Sequence, residues 1–457
     1  MSAAVLDQVA EPTLTPRRSW KVRLMVWVPV ILALQAFALS KVDKPWDSGD
    51  SRLLYLPTAR NMLRHGSYSV MDNAPYLPSI VKMPGYSFFL VALQAVGGES
   101  IVLIQILQFV LLAITALVTA QLARRFFDDR VALVAGLFVA SHPAFSFMAM
   151  RVLSETLTQL MALLHVWALV IFFENGKMKA SSRRRDFAVA AGTGLSLGVL
   201  VLLRQTFAML LPMIAIAAIV ALGLTQWKRA VRQVGVLCLA TGLLVGPWCV
   251  RNVLVADALL PFGANSGVSL LISERQYAQN EYIPGQIEYL ETIERELGPI
   301  DARLGMPSGT SPGMTEGLGG GPAREAALDA RLEELALSEL AEQDVLTIVQ
   351  RVPWRMASLW SGKGLFVALD PIGNFQMLAV LLGVVWLGLR RRELWPLWIL
   401  GLYLSLFHLV FHVEARYSFP ARPALLILGA AASVEGVRWF RQRWAAVRET
   451  APSSATS

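Results

Sequence analysis

The chain is built from a series of apolar runs, most of them about as long as a membrane-crossing helix, and its charges lie mainly between these runs. A bilayer core about 30 Å thick needs about 20 helical residues to span it. Of the 457 residues, 55% are hydrophobic and only 16% are charged. This composition excludes an ordinary soluble domain, so we predict an all-α polytopic membrane protein of about ten transmembrane helices.

The basic residues between the runs indicate a topology. The predicted spans are residues 24–39, 101–123, 131–150, 152–173, 187–203, 207–224, 234–250, 377–389, 394–410 and 424–434. In this arrangement every cluster of adjacent basic residues falls on one side, which the positive-inside rule identifies as cytoplasmic. Residues 84–98 are too short to cross and are predicted to form an interfacial or re-entrant helix. A cleaved signal peptide is the alternative for the first run, but the many later spans favour an anchor.

Five parts follow from this topology. We predict cytoplasmic tails at residues 1–20 and 438–457, and carboxy-terminal transmembrane helices at 372–437. The transmembrane core, residues 21–250, includes a large first periplasmic loop at 41–100. A second periplasmic segment, 251–371, is about 120 residues long and holds a flexible Gly-rich stretch followed by an amphipathic helix. The net charge of +8 is explained by topology, and no nucleic-acid partner is expected.

The first loop carries most of the candidate chemistry. Residues 41–86 are largely polar and aromatic, with Asp47 and Asp50 near the start and Lys82 near the end. Such a segment cannot lie in hydrocarbon, because its backbone groups would find no hydrogen-bond partners there. It must therefore lie at a surface or line a water-filled cavity. Acid and base held against a bilayer suggest chemistry on a charged, lipid-borne substrate.

Five motifs in order resemble a known family. They are GDSRLLYLPTARNMLRHGSYS, KMPGYSFFLVALQAVGG, RVLSETL, GPWCVRN and EARYSFPARP. Together they resemble the GT-C superfamily of integral-membrane glycosyltransferases, in the bacterial branch related to protein O-mannosyltransferases and lipid A aminoarabinose transferases. No single motif identifies the family. The order of the five motifs along the chain and their position on one predicted side of the membrane do.

The resemblance implies a function. It implies transfer of a sugar from a polyprenyl-phosphate-sugar donor to the hydroxyl of a lipid-linked, polysaccharide or protein acceptor. The reaction would occur at the periplasmic face of a bacterial inner membrane, with inversion and without a cofactor. Inverting transfer needs one carboxylate as general base, together with positive charge for the leaving phosphate. Neither the sugar nor the acceptor follows from the sequence.

Two acids are candidates for the base. Asp50 directly precedes a helical pattern, so it could aim its carboxylate at a bound hydroxyl or serve as an N-cap. Asp47 is the alternative, since the spacing from Asp50 to Tyr55 is one residue longer than the commonest family pattern.

Three cations are candidates for the donor phosphate: Lys82, Arg251 and Arg416. Lys82 lies beside a predicted helix start, where a phosphate could also meet backbone amides. Both arginines lie on the side that positive-inside statistics disfavour, although each could simply anchor a helix end.

A further group is expected to support the cavity. It comprises Tyr55, Tyr86, Arg151, Glu155 and Glu414. Arg151 and Glu155 are four residues apart and could alternatively form a structural ion pair on one helical face. His408 and His412 are one helical turn apart and could form a metal site with Glu414. We predict no metal, because the sequence does not place a third ligand beside the two histidines.

Two other functions are compatible with a polytopic membrane protein. A secondary transporter would place charged residues inside the spans and would show a repeated half. The spans hold almost no charges, which favours an enzyme. An O-antigen ligase or polymerase would share polyprenyl chemistry but not these motifs in this order.

Overall fold

The computed structural model describes residues 20–41, 48–178, 181–222, 226–278, 282–304, 320–360 and 371–450. All regular secondary structure within these ranges is helical, which confirms the predicted all-α class. Asp47, the first and last residues of the chain and most of the Gly-rich stretch lie outside the described residues.

The helices are numbered along the chain. The first ten are α1 (Trp20–Leu39), α2 (Leu56–His65), α3 (Gly85–Gly97), α4 (Ile101–Ala123), α5 (Asp129–Ser141), α6 (Pro143–Met150), α7 (Glu155–Lys177), α8 (Arg183–Leu203), α9 (Leu210–Leu222) and α10 (Trp227–Ala256). The others are α11 (Ser266–Ala278), α12 (Tyr282–Arg303), α13 (Pro322–Ala341), α14 (Val345–Trp360), α15 (Pro371–Gly383), α16 (Trp395–Phe407) and α17 (Arg422–Thr450). A π-helical turn, Ser51–Tyr55, leads into α2.

Seven described helices are long and apolar enough to cross a membrane, or eight if the bent pair α5 and α6 is one span. The predicted count of ten is not confirmed. The predicted spans at 207–224 and 394–410 contain described helices of only 13 residues each, α9 and α16. At 1.5 Å per residue such a helix covers about 20 Å, which is less than the bilayer core. The predicted short helix at 84–98 is present as α3, with 13 residues.

The predicted spans α8 and α10 approach each other closely at a glycine, because glycine has no side chain to hold the two backbones apart. A Cβ on Gly194 of α8 would lie 2.4 Å from the carbonyl oxygen of Leu237 on α10, which is closer than real contacts allow. Close backbone approach of this kind is how membrane helices gain packing energy without a hydrophobic driving force. The outward faces stay apolar: Leu239, Leu243 and Leu254 of α10 are each at least 70% exposed. Such a surface suits contact with lipid.

The connections beyond one end of the bundle, which we call the site end, pack against each other. Ile80 of the first loop donates its N–H to Glu325 of α13 at 2.7 Å and accepts from the N–H of Ala264 at 3.1 Å. The start of α3 is pressed onto the end of α8, since a Cβ on Gly85 would lie 2.7 Å from the carbonyl oxygen of Leu202. These contacts hold the first loop against α13, Ala264 and the end of α8.

Candidate active site

Asp50 lies within a cluster of charged side chains at the site end. Its Oδ2 accepts a hydrogen bond from Nη1 of Arg416 at 2.9 Å, and its Oδ1 lies 3.8 Å from Nζ of Lys82. The Asp50 side chain is 22% exposed. In the described structure it makes no capping hydrogen bond to the turn that follows, so capping does not account for its position.

Arg416 joins three carboxylates. It lies in the short 3₁₀ turn Ala415–Ser418 between α16 and α17. Besides Asp50, it binds Glu414 through two hydrogen bonds, of 2.5 Å from Nε and 3.2 Å from Nη2. Its Nη1 also lies 3.6 Å from Oε1 of Glu155. The planar guanidinium suits this role, because it presents several donors in fixed directions.

Glu155 is the most buried acid of the cluster. It is the first residue of α7, and its side chain is 3% exposed. Arg204, which directly follows the last residue of α8, donates from Nη1 to Oε1 of Glu155 at 3.2 Å. The Arg204 guanidinium also lies 4.6 Å above the ring of Tyr417. A carboxylate this buried needs such partners, since an unpaired buried charge is strongly destabilising.

The charges of the cluster balance. Asp50, Glu155 and Glu414 supply three negative charges, and Lys82, Arg204 and Arg416 supply three positive ones. Burial alone raises the pKa of the Asp50 carboxyl, but the charges of Lys82 and Arg416 outweigh this effect and hold the pKa well below its ordinary value. Asp50 is therefore ionised at neutral pH, and its negative charge is taken up by the two cations.

Two histidines and a tyrosine border the cluster. Tyr417 and Nδ1 of His412 are 3.3 Å apart, and Nε2 of His412 lies 3.6 Å from Glu414. Burial lowers the pKa of His412 to about 4, so its ring is neutral at pH 7. His408 donates a hydrogen bond from Nδ1 to the carbonyl oxygen of His412 at 2.7 Å. Over the described residues no set of three metal-ligating side chains is gathered, and the absence of a metal stays a prediction.

Tyr55 and Tyr86 are buried next to the cluster. Their rings meet edge to face at 4.8 Å, and both are buried. The Tyr55 hydroxyl bonds the side chain of Ser154, next to Glu155. Tyr86 donates to Oε1 of Gln108 at 3.3 Å, and the Nε2 of Gln108 in turn donates to the carbonyl oxygen of Arg151 at 2.6 Å. Both tyrosines therefore tie the first loop to the segment that presents Glu155.

Arg151 and Glu155 do not share a helical face. Arg151 ends α6 in an extended conformation, with φ −88° and ψ 145°, and α7 begins only at Glu155. The guanidinium of Arg151 lies 4.9 Å above the ring of Phe147. The geometry assumed for an i, i+4 pair is therefore absent at this break.

Arg251 lies beside the first loop, and its described contacts are with backbone, amide and aromatic groups. Its Nη1 donates to the carbonyl oxygen of Ser79 at 2.7 Å and to the side-chain oxygen of Asn252 at 3.0 Å. Its guanidinium lies 4.7 Å from the ring of Trp248 and 5.5 Å from that of Tyr68. A very small cavity, of about 10 Å³, lies beside this part of the loop; Ser79, Tyr68 and Lys82 are among its walls.

The structure thus brings five predicted residues into one cluster: Asp50, Lys82, Glu155, Glu414 and Arg416. It adds Arg204, His412 and Tyr417. The sequence holds a signal for Arg204, because this arginine directly follows an apolar run on the side that positive-inside statistics disfavour. The same argument singled out Arg251 and Arg416. No comparable signal exists for Tyr417.

Comparison with known proteins supports the resemblance found in the motifs. Residues 81–249 match the family of dolichyl-phosphate-mannose-protein mannosyltransferases. This match confirms the resemblance to GT-C glycosyltransferases. The matched range includes Lys82, Glu155 and Arg204 but not Asp50 or Arg416. No curated protein matches the chain in sequence.

Solved structures of two proteins are similar to the chain. The archaeal oligosaccharyltransferase AglB from Archaeoglobus fulgidus, in complex with an inhibitory peptide and a dolichol-phosphate, is 13% identical, with a TM-score of 0.49. The alignment covers 94% of this chain and 53% of AglB, so the chain spans about half of that protein. ArnT from Cupriavidus metallidurans, bound to undecaprenyl phosphate, is 14% identical, with a TM-score of 0.42, and the alignment covers 91% and 77% of the two chains.

Proposed function

We propose that this chain is a glycosyltransferase that moves a sugar from a polyprenyl-phosphate donor to an acceptor hydroxyl, with Asp50 as general base. The observation that carries the proposal is the Asp50 carboxylate in contact with Arg416 and Lys82, at the end of a bundle of membrane-capable helices. The family match over residues 81–249 supports glycosyl transfer as the reaction class.

In the proposed reaction Asp50 removes the proton from the acceptor hydroxyl as its oxygen attacks the anomeric carbon of the donor sugar. The bond between that carbon and the phosphate oxygen breaks, and polyprenyl phosphate leaves with the bonding electrons. A single displacement inverts the configuration at the anomeric carbon. One carboxylate suffices for this step, because the second carboxylate of retaining enzymes acts as a nucleophile.

Of the three cations predicted to hold the donor phosphate, Lys82 and Arg416 lie beside Asp50, and Arg251 lies next to the first loop. The guanidinium of Arg416 can donate two parallel hydrogen bonds to phosphate oxygens, and the ammonium of Lys82 supplies a mobile point charge. In the free protein these groups are engaged with Asp50 and its neighbouring acids. A phosphate that takes over part of their contacts would remove positive charge from Asp50 and add negative charge beside it. The pKa of Asp50 would then rise, so donor binding itself would make Asp50 a stronger base.

We further propose that the protein resides in a bacterial inner membrane, with both termini cytoplasmic and the cluster on the periplasmic face. The one-sided basic clusters support this orientation. A donor with a long apolar tail could reach the cluster from the bilayer, since the lipid-facing surfaces of the adjacent helices are apolar. The acceptor would be lipid-linked, a polysaccharide or a protein.

The test uses the full-length protein in lipid nanodiscs. It is incubated with undecaprenyl-phosphate mannose or an undecaprenyl-phosphate pentose and with cell-envelope extract as the source of acceptor. Release of undecaprenyl phosphate, coupled to transfer of labelled sugar with inverted anomeric configuration, is the expected result. Donor that crosses a liposome membrane chemically intact would show a transporter and overturn the proposal.

A further inference from the structure

A second cleft lies at the opposite end of the bundle from the charged cluster. Arg183 begins α8 and Arg204 follows its end, so the two sites are about 30 Å apart along this helix. The cleft has a volume of about 370 Å³ and opens between the start of α8 and the second and third turns of α10. It is lined by Arg183, Arg184, Asp186, Phe187, Arg232, Gln233 and Val236.

The polar half of the cleft carries an excess of positive charge. Asp186 is its one acid, and this carboxylate is already bound by Arg229 at 2.8 Å and by Arg232 at 3.2 Å. Across the described ranges no carboxylate pairs with Arg183 or Arg184. Both arginines lie in the first turn of α8, where the helix dipole adds further positive potential.

Gln233 contributes a buried amide to the wall of the cleft. Its side chain is 1% exposed. Neither its Oε1 nor its Nε2 has a hydrogen-bond partner among the described residues. A buried amide with both ends unsatisfied is costly, and native structures rarely keep one without water or a ligand. A ligand here should offer both an acceptor and a donor.

The rest of the cleft is apolar. Phe187 is 60% exposed, and Val231 and Trp227, near the same end of α10, are each 54% exposed. Both helices are long and apolar enough to span a membrane, so these side chains lie where acyl chains would pass. A free phosphate ion would gain nothing from such walls, whereas a lipid would use both halves.

We propose that this cleft binds an anionic glycerophospholipid of the surrounding bilayer. The phosphate would lie on Arg183 and Arg184, and an acyl chain would run along Phe187 and Val236. A glycerol headgroup has hydroxyls that can donate to Oε1 of Gln233 and oxygens that can accept from Nε2. Basic pockets between membrane helices are known to suit this class of ligand.

The experiment measures lipid binding to the full-length protein by native mass spectrometry. Phosphatidylglycerol should bind about tenfold or more tightly than phosphatidylcholine with the same acyl chains. The double variant Arg183→Gln/Arg184→Gln should lose this preference, and the matched variant Arg441→Gln/Arg443→Gln should keep it. Equal binding of the two lipids, or the same loss in both variants, would overturn the proposal. So would equal occupancy by inorganic phosphate alone.

Gln233→Leu provides a separate measurement that does not depend on surface charge. Phosphatidylglycerol should raise the midpoint of thermal unfolding more in the original protein than in this variant, because the variant cannot bond the headgroup. If the unfolding midpoint of Gln233→Leu exceeds that of the original protein by the same amount in phosphatidylglycerol and in phosphatidylcholine, the amide makes no contact with the headgroup and the proposal is wrong.

Discussion

Arg416 donates a hydrogen bond to Asp50 across 366 residues of sequence, at 2.9 Å. This contact links the first loop to the connection between the last two helices. It also places the positive charge that a leaving phosphate requires beside the carboxylate that an acceptor hydroxyl requires. A base and a phosphate ligand that hold each other in the free protein can be separated by the substrate.

Asp50→Asn should fold and bind donor but lose about a hundredfold or more in turnover. The amide keeps the shape of the carboxylate and removes the proton acceptor. The matched control is Asp72→Asn, an exposed acid of the same loop, which should turn over normally. Asp47→Asn tests the alternative base and should have a much smaller effect. Steady-state kinetics on purified, folded variants decide the question. If both Asp50→Asn and Asp47→Asn were fully active, the first loop would not hold the base.

Arg416→Ala and Arg251→Ala test the donor-phosphate assignments. Arg416→Ala should raise KM for the donor about tenfold or more and also lower turnover, because it removes a charged hydrogen-bond donor and leaves Asp50 less well held. Arg416→Lys should recover part of this loss. Arg251→Ala should also weaken donor use, and its contacts with Ser79 and Trp248 predict a less stable first loop as well. Donor saturation curves and thermal unfolding separate the two effects. Wild-type saturation in a folded alanine variant would show an arginine that merely anchors its helix.

Arg204 and Glu155 should act as a coupled pair. Arg204→Ala leaves a carboxylate that is 3% exposed without its hydrogen-bond donor, with Arg416 at 3.6 Å as the remaining cation, and should cost about 1–3 kcal/mol of stability. Glu155→Gln should suppress much of that cost, because it removes the negative charge that Arg204 neutralises. A double-mutant cycle measured by unfolding in detergent gives the coupling free energy, with Arg60 and Glu99 as a matched exposed pair. Additive effects at Arg204 and Glu155 would contradict the pairing.

The pH dependence of the reaction should report the release of Asp50 from its cations. In the free protein the pKa of Asp50 is held well below its ordinary value by Lys82 and Arg416, against the opposing effect of burial. The acid limb of kcat/KM should therefore lie at low pH. The acid limb of kcat should lie higher, because bound phosphate raises the pKa of Asp50. Arg416→Gln should move the limb of kcat/KM upward. If the acid limbs of kcat and kcat/KM fell at the same pH, donor binding would leave Lys82 and Arg416 in contact with Asp50, against this prediction.

His412 should make the protein less stable as the pH falls from 6.5 to about 4. Its folded pKa lies below its ordinary value, so the unfolded chain binds more protons in this window and protonation favours unfolding. The shift from 6.5 to about 4 corresponds to about 3 kcal/mol. His412→Gln should remove this contribution from the pH dependence of the free energy of unfolding, measured by unfolding at pH values from 4 to 7. An unchanged slope in the variant would show that His412 is protonated in the folded protein.

The predicted topology places the first loop and the basic cluster near Ser181 on opposite sides of the membrane. In a background without Cys238 and Cys249, Asp72→Cys should react with an impermeant reagent in intact cells. Ser181→Cys should react only after permeabilisation. The reverse pattern would invert the whole assignment and move the charged cluster to the cytoplasmic side.

The sequence by itself determined the helical class, the division into apolar runs and polar connections, and the short helix before α4. These features depend on local composition and spacing, which a single segment carries. It also marked most members of the charged cluster, because an arginine beside an apolar run on the disfavoured side and an acid in a polar loop or a recognisable motif are local signals. The predicted number of spans is not confirmed, because the described helices in the apolar runs at 207–224 and 394–410 have only 13 residues each.

Only the tertiary structure decided which charged residues meet. Arg251 and Arg416 carried the same sequence signal, yet one contacts Ser79 and Trp248 while the other contacts Asp50. Arg151 and Glu155 had helical spacing, but a break in the backbone between them changes their directions. Contacts across hundreds of residues depend on how helices pack and where their ends lie. That information is spread over the whole core and is absent from any one motif.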